Sequence, residues 1–212
     1  MRVFIINFGY CLLILNFILY AIGFFKQGKS YKIFTVYLLL LVIVELISTV
    51  LMLLYNNNLL MSHFYFIGQF ILLSMFYLNL VKDQFQKKTI KIGFVLVLLT
   101  LAVQYGLKPE LFVRFNLYEI FITSFLLIIY ATFHFYNMLD EKKEFYFINM
   151  GILLYLFGST ILFLVGNLTV KFSAKFSFIT WILNAILIVV YYLFILYEWK
   201  VSYFKRKVSS ID

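Results

Sequence analysis

Apolar residues run along the chain in seven long blocks, at about 3–25, 33–55, 61–81, 89–107, 113–138, 145–168 and 176–199, with polar connectors of seven residues or fewer between them. Crossing a bilayer takes about 20 mostly apolar residues, within a range of roughly 17–25. Each block is too long for a strand, and an open strand edge in lipid would leave its amides unpaired, so each predicts a helix. The fourth block is the shortest, and its approach, Lys82 to Lys88, predicts a tight loop. The first block could pass for a signal peptide. It lacks a small-residue cleavage site, and its apolar length exceeds a signal core. Phe8-Gly9-Tyr10 before Cys11 does not suit a lipoprotein signal either, so the block predicts a retained span. The pattern therefore predicts an all-α integral membrane protein: a seven-transmembrane-helix bundle, with residues 1–212 as a single transmembrane domain.

Composition strengthens this picture. Of 212 residues, 65% are hydrophobic, 22% aromatic and 13% charged, against roughly 45–50% apolar and about 25% charged in a soluble domain. The surplus must face lipid. Cys11 is the only cysteine, which rules out a disulfide within the chain. A net charge of +9 would suggest nucleic acid for a soluble protein. Here the basic residues occupy the connectors and tail, so no nucleic-acid partner is expected. With the N-terminus outside, thirteen Lys and Arg fall on the inner side and five on the outer. The positive-inside rule thus predicts an outside N-terminus and a cytoplasmic C-terminus. Trp181 and Trp199 are 18 residues apart, about 27 Å along a helix, which suits an indole at each interface of the last span. The basic run Lys200, Lys205, Arg206 and Lys207 suits anionic headgroups just inside.

Polar residues within the blocks carry the chemistry. Glu45 stands in the middle of LLLLVIVELISTVLMLLY, where a charged residue costs roughly 2.5–3.5 kcal/mol on insertion scales. It is expected to face the interior, with Ser48 and Thr49 three and four residues on along the same face. Asn116, Glu119 and Thr123 share a face of the fifth span, and Glu119 is placed shallow enough to reach water or Arg114. Gln69 lies about two turns into the third span, Ser159 and Thr160 near mid-depth in the sixth. Thr180, Asn184 and Tyr191 form one stripe of the seventh. Asn79 and His134 fall near the inner interface, and Asn16 and Gln104 have no assigned facing. Gly151, Gly158 and Gly166 mark one side of the sixth span for close helix approach. A polar interior opening outward predicts a small-molecule or lipid site lined by Glu45, Ser48, Thr49, Gln69, Glu119, Thr123, Ser159, Asn184 and Tyr191. The alternative for each neutral residue is plain packing between helices.

Several classes are disfavoured. Residues 176–199 hold no lysine for a retinal Schiff base, no span holds an aspartate, and Pro109, the only proline, sits in a connector rather than breaking a helix. His63 and His134 are placed at opposite membrane faces, so no shared metal is expected, and no cofactor is assigned. The sequon Asn167-Leu-Thr169 is too short a pattern to carry weight.

The succession Glu45, Tyr65 with Gln69-Phe70, Tyr118-Glu119, Tyr155 with Gly158-Ser159, and Trp181 with Asn184 resembles small seven-span proteins of Bacteroidetes, over nearly the whole chain. The resemblance implies a bacterial inner-membrane protein working with a partner such as a sensor kinase. The lysoplasmalogenase-like family has similar length but eight spans, and its motifs are not found here. Three expectations follow: a receptor-like bundle that signals through a partner, a membrane lipid hydrolase with Glu45 and Glu119 as acid–base pair, or a non-catalytic assembly partner.

Overall fold

The computed structural model describes residues 2–54, 57–140, 143–169 and 174–204, and their regular structure is entirely helical. The long helices are α1 (Arg2–Gly23), α2 (Lys29–Leu53), α3 (Leu59–Leu80), α4 (Gln84–Leu107), α5 (Leu117–Asn137), α6 (Tyr146–Thr169) and α7 (Ala174–Trp199). A 3₁₀ turn, Pro109–Val113, precedes α5, and a π turn, Lys200–Phe204, follows α7. Among the described residues, seven helices are long and apolar enough to cross a membrane. Lys142, Lys171, Lys205, Arg206 and Lys207 lie outside the described residues.

Three boundaries differ from the sequence reading by a helical turn or more, each for a local reason. α4 starts at Gln84, inside the expected Lys82–Lys88 loop, because Asp83 caps it: its carboxylate accepts the Gln86 backbone N–H at 2.8 Å. An Asp at that position satisfies one of the amides a helix start leaves open. α2 starts at Lys29, a turn before the apolar block, after an extended Gly28. α5 starts at Leu117 rather than 113, because Pro109 opens the separate 3₁₀ turn and Asn116 then caps the helix, its Oδ1 accepting the Glu119 N–H at 3.3 Å.

The chain divides into two compact units, Phe24–Phe133 and Met1–Gly23 with His134–Asp212. In the first, α3 packs against α2 and α4. Tyr31, Phe34, Leu38 and Leu41 of α2 and Phe66, Phe70, Leu73 and Tyr77 of α3 are all buried, a three-to-four spacing that puts one stripe of each helix inward. Asn79 of α3 donates to Ser30 of α2 at 2.5 Å. The other face of α2 is uncovered: Leu39, Ile43, Leu46 and Val50 are 38–57% exposed. Aliphatic surface of that kind belongs in hydrocarbon.

In the second unit α7 packs on both α1 and α6. The three glycines of α6 do what their spacing predicts. A Cβ on Gly151 would lie 2.9 Å from Phe194 Cβ, one on Gly158 2.7 Å from Leu187, and one on Gly166 3.2 Å from the Thr180 hydroxyl. α7 holds α1 through polar groups sunk in the contact. Asn16, wholly buried, donates to the Tyr192 carbonyl at 2.9 Å, and the Trp199 indole donates to the Leu19 carbonyl at 3.1 Å. Glu198, 1% exposed, accepts the Phe147 N–H at 2.8 Å in the first turn of α6 and also binds Ser202, where a helix dipole favours an anion.

Candidate functional site

Three side chains from three helices meet in the Phe24–Phe133 unit. His63 stands in the second turn of α3, Tyr105 in the last turn of α4 and Glu119 in the first turn of α5. The His63 ring Nδ1 is 2.9 Å from Glu119 Oε2 and 2.8 Å from the Tyr105 hydroxyl, and that hydroxyl also donates to Glu119 Oε2. Glu119 is 0% exposed and His63 3%.

The N-cap of α5 builds the support. Asn116 accepts the Glu119 amide with its Oδ1, which aims the Glu119 side chain inward from the helix start. Its Nδ2 donates to Tyr105 Oη at 3.2 Å and to Gln104 Oε1 at 3.0 Å, tying the start of α5 to the end of α4. Thr123, one turn on, donates to the Glu119 carbonyl at 2.7 Å. The 3₁₀ turn closes one side: Phe112 stacks on Tyr105, with ring centres 4.4 Å apart, and meets His63 edge-on at 6.2 Å. Phe112 itself is 41% exposed, so the ring that packs on the cluster also meets the surface of the unit. Asn57 reaches from the α2–α3 connector to the Val113 carbonyl at 3.4 Å and holds that turn in place.

Two buried atoms of the cluster, Glu119 Oε1 and His63 Nε2, have no hydrogen-bond partner among the described residues. Buried polar groups are nearly always paired, and each one left open costs about 1–3 kcal/mol. The Tyr105 O–H donates to Glu119 Oε2, and His63 Nδ1 lies within hydrogen-bond distance of the same oxygen, so Oε2 acts as an acceptor. With the proton of the imidazole on Nδ1, Nε2 also presents a lone pair. Two acceptors thus stand open on one rigidly braced pair.

The nine residues expected to line a site divide between the units, six in Phe24–Phe133 and three in the other. Glu119 and Thr123 belong to the cluster described above. Glu119 does not reach water or Arg114, as its apparent depth suggested: it is sealed, and Arg114 is exposed. Gln69 is buried on α3 with its Oε1 open. Glu45, Ser48 and Thr49 are half-buried near the uncovered end of α2, and the Ser48 hydroxyl accepts from Asn58 at 2.9 Å. In the second unit Ser159 turns back to the Leu156 carbonyl at 3.4 Å, Asn184 is buried with its Oδ1 open, and Tyr191 stacks on Tyr155. No group of three His, Cys, Asp or Glu that could hold a metal occurs among the described residues.

His63 and Tyr105 were the residues the sequence reading passed over. Their depth was the available signal: spans three and five begin, and span four ends, at the same membrane side, and His63, Tyr105 and Glu119 all fall within a turn or two of those ends. Comparison with known proteins adds nothing to the geometry: no family model, no curated protein and no solved structure matches this chain.

Proposed function

We propose that the chain is a receptor-like integral membrane protein that takes a small or lipidic ligand at the His63–Tyr105–Glu119 cluster and signals through a separate partner. The distribution of Lys and Arg puts the N-terminus outside and the C-terminus in the cytoplasm, so the cluster lies toward the outer side. The resemblance to seven-span proteins of Bacteroidetes favours a bacterial inner membrane and a partner such as a sensor kinase. The observation that carries the reading is the pair of open, buried acceptors, Glu119 Oε1 and His63 Nε2. A ligand that completes them binds one arrangement of α3, α4 and α5 better than another, and this difference is what a ligand needs to shift a population. The test is mass spectrometry of molecules that co-purify with the protein in nanodiscs. Wild type retains a species that Glu119→Ala and His63→Ala lose; identical contents in all three proteins defeat the reading.

A hydrolytic reading stands second, on one observation. His63 has Nδ1 on a carboxylate and Nε2 open, the arrangement in which an imidazole serves as general base. Nε2 would take a proton from water as the water oxygen attacks a lipid ester carbonyl, then return it to the departing alkoxide. The acid–base pair would be His63–Glu119 rather than Glu45–Glu119. Turnover of lipid esters that vanishes in His63→Gln distinguishes this from simple binding.

A further inference from the structure

Independently of the His63 cluster, we propose that the lysine-rich end of the Phe24–Phe133 unit is a docking surface for the phosphate headgroups of anionic lipids. Packing builds this surface from two connectors that are far apart in sequence. Asn79, in the last turn of α3, donates to Ser30 in the first turn of α2 at 2.5 Å. That bond sets the α1–α2 and α3–α4 connectors side by side. Lys26, Lys29 and Lys32 come from the first connector and the start of α2; Lys87, Lys88 and Lys91 come from the opening turns of α4. Of these, Lys26, Lys29, Lys88 and Lys91 are exposed. Asp83 is the one acid among them, and its carboxylate is engaged in capping α4. The opposite end of the unit carries only Lys108 and Arg114, with Glu110, among the described residues.

The exposed rings among these charges select the partner. Phe25, next to Lys26, is 88% exposed, and Phe85, two residues before Lys87, is 72% exposed. A topology signal needs the lysines but gives no reason for bare phenyl rings between them. At a bilayer interface both find a place: the ammonium groups meet phosphate, and the rings lie at the headgroup–acyl boundary. Clustered lysines at a membrane surface attract anionic lipids, and the attraction falls off within a Debye length. The bilayer therefore matches the charge and the ring surface together, with a partner already in place.

The experiment uses the full chain in nanodiscs of phosphatidylcholine with a minority of phosphatidylglycerol, followed by native mass spectrometry of the lipids that stay on the protein. Retained lipid is expected to be enriched in phosphatidylglycerol by about fivefold or more over the starting mixture, since even one lysine near an anionic surface is worth that much. Reconstitution at high salt is expected to reduce the enrichment, because exposed charges are screened. Replacing Lys26, Lys29, Lys87 and Lys88 together by Gln should return the retained lipid to the starting proportions. The same four replaced by Arg should keep the enrichment, as should Lys108→Gln with Arg114→Gln at the opposite end. The wild-type lipid and salt series needs no variant, so it stands even where the fourfold Gln variant fails to insert. Wild type that retains both lipids in the starting proportions overturns the proposal and leaves the lysines to topology or to an acidic protein. Enrichment that survives in the fourfold Gln variant also overturns it, since the anionic lipid would then sit elsewhere on the chain.

Discussion

Removing the Glu119 carboxyl takes away the oxygen on which the Tyr105 O–H and His63 Nδ1 converge and leaves those two groups only each other, at 2.8 Å. Buried polar groups that lose a partner cost about 1–3 kcal/mol, so Glu119→Ala is expected to fall in thermal stability by about that amount. Tyr105→Phe removes one donor from Oε2 and one acceptor from Asn116 but leaves His63 in place, and about 1–3 kcal/mol is expected. Glu45→Gln should lose less than Glu119→Gln, since Glu45 is only half-buried. An equal or larger loss at Glu45 would restore it as the central carboxylate. The two acids differ in a way local sequence does not show. Glu45 stands within an eighteen-residue, mostly aliphatic stretch and looks isolated, whereas Glu119 follows a polar connector and looks wet. Burial reverses this impression, because the covering groups come from α3, α4 and the 3₁₀ turn.

At the scale of elements, the start of α5 and the α6–α7 contact give opposed expectations. Asn116→Ala removes a cap worth about 1 kcal/mol and also frees Gln104 and Tyr105, so its loss should exceed that of a cap alone and should weaken ligand binding with it. Gly151→Ala drives a Cβ to 2.9 Å from Phe194 Cβ, an atom fixed close to the backbone. Overpacking there is expected to destabilise by about 1–3 kcal/mol. Gly106 in α4 has open space where its Cβ would go, so Gly106→Ala should be neutral or stabilising by up to about 1 kcal/mol. Thermal unfolding of both variants checks the contrast, and a Gly151→Ala protein as stable as wild type would show that α6 and α7 can part without loss. The close approach was legible from the seven- and eight-residue spacing of Gly151, Gly158 and Gly166. The caps were harder to find: Asp83 sits within a charged stretch that reads as loop, and Asn116 within a block that reads as continuous span.

At the scale of the whole molecule, orientation is open to a direct check. On a Cys11→Ala background, Glu110→Cys is expected to react with a membrane-impermeant maleimide on intact cells, and Gln27→Cys only after permeabilisation; the reverse pattern would invert the topology. Hydrophobic patterning alone determined the number of membrane-crossing helices and their limits to within a turn or so, because lipid imposes a length and an apolar character on every residue of a span. The helical spacing of Asn116, Glu119 and Thr123 also marked the face that turns inward at the start of α5, where all three are buried. Which polar residues meet is a different kind of fact. His63, Tyr105 and Glu119 are separated by 42 and 14 residues, and no local pattern couples them. Only the packing of α3, α4 and α5, with the 3₁₀ turn laid across their ends, brings one imidazole, one phenol and one carboxylate to a single dry point, because a hydrogen bond reaches about 3 Å and helix order alone decides what lies within that reach.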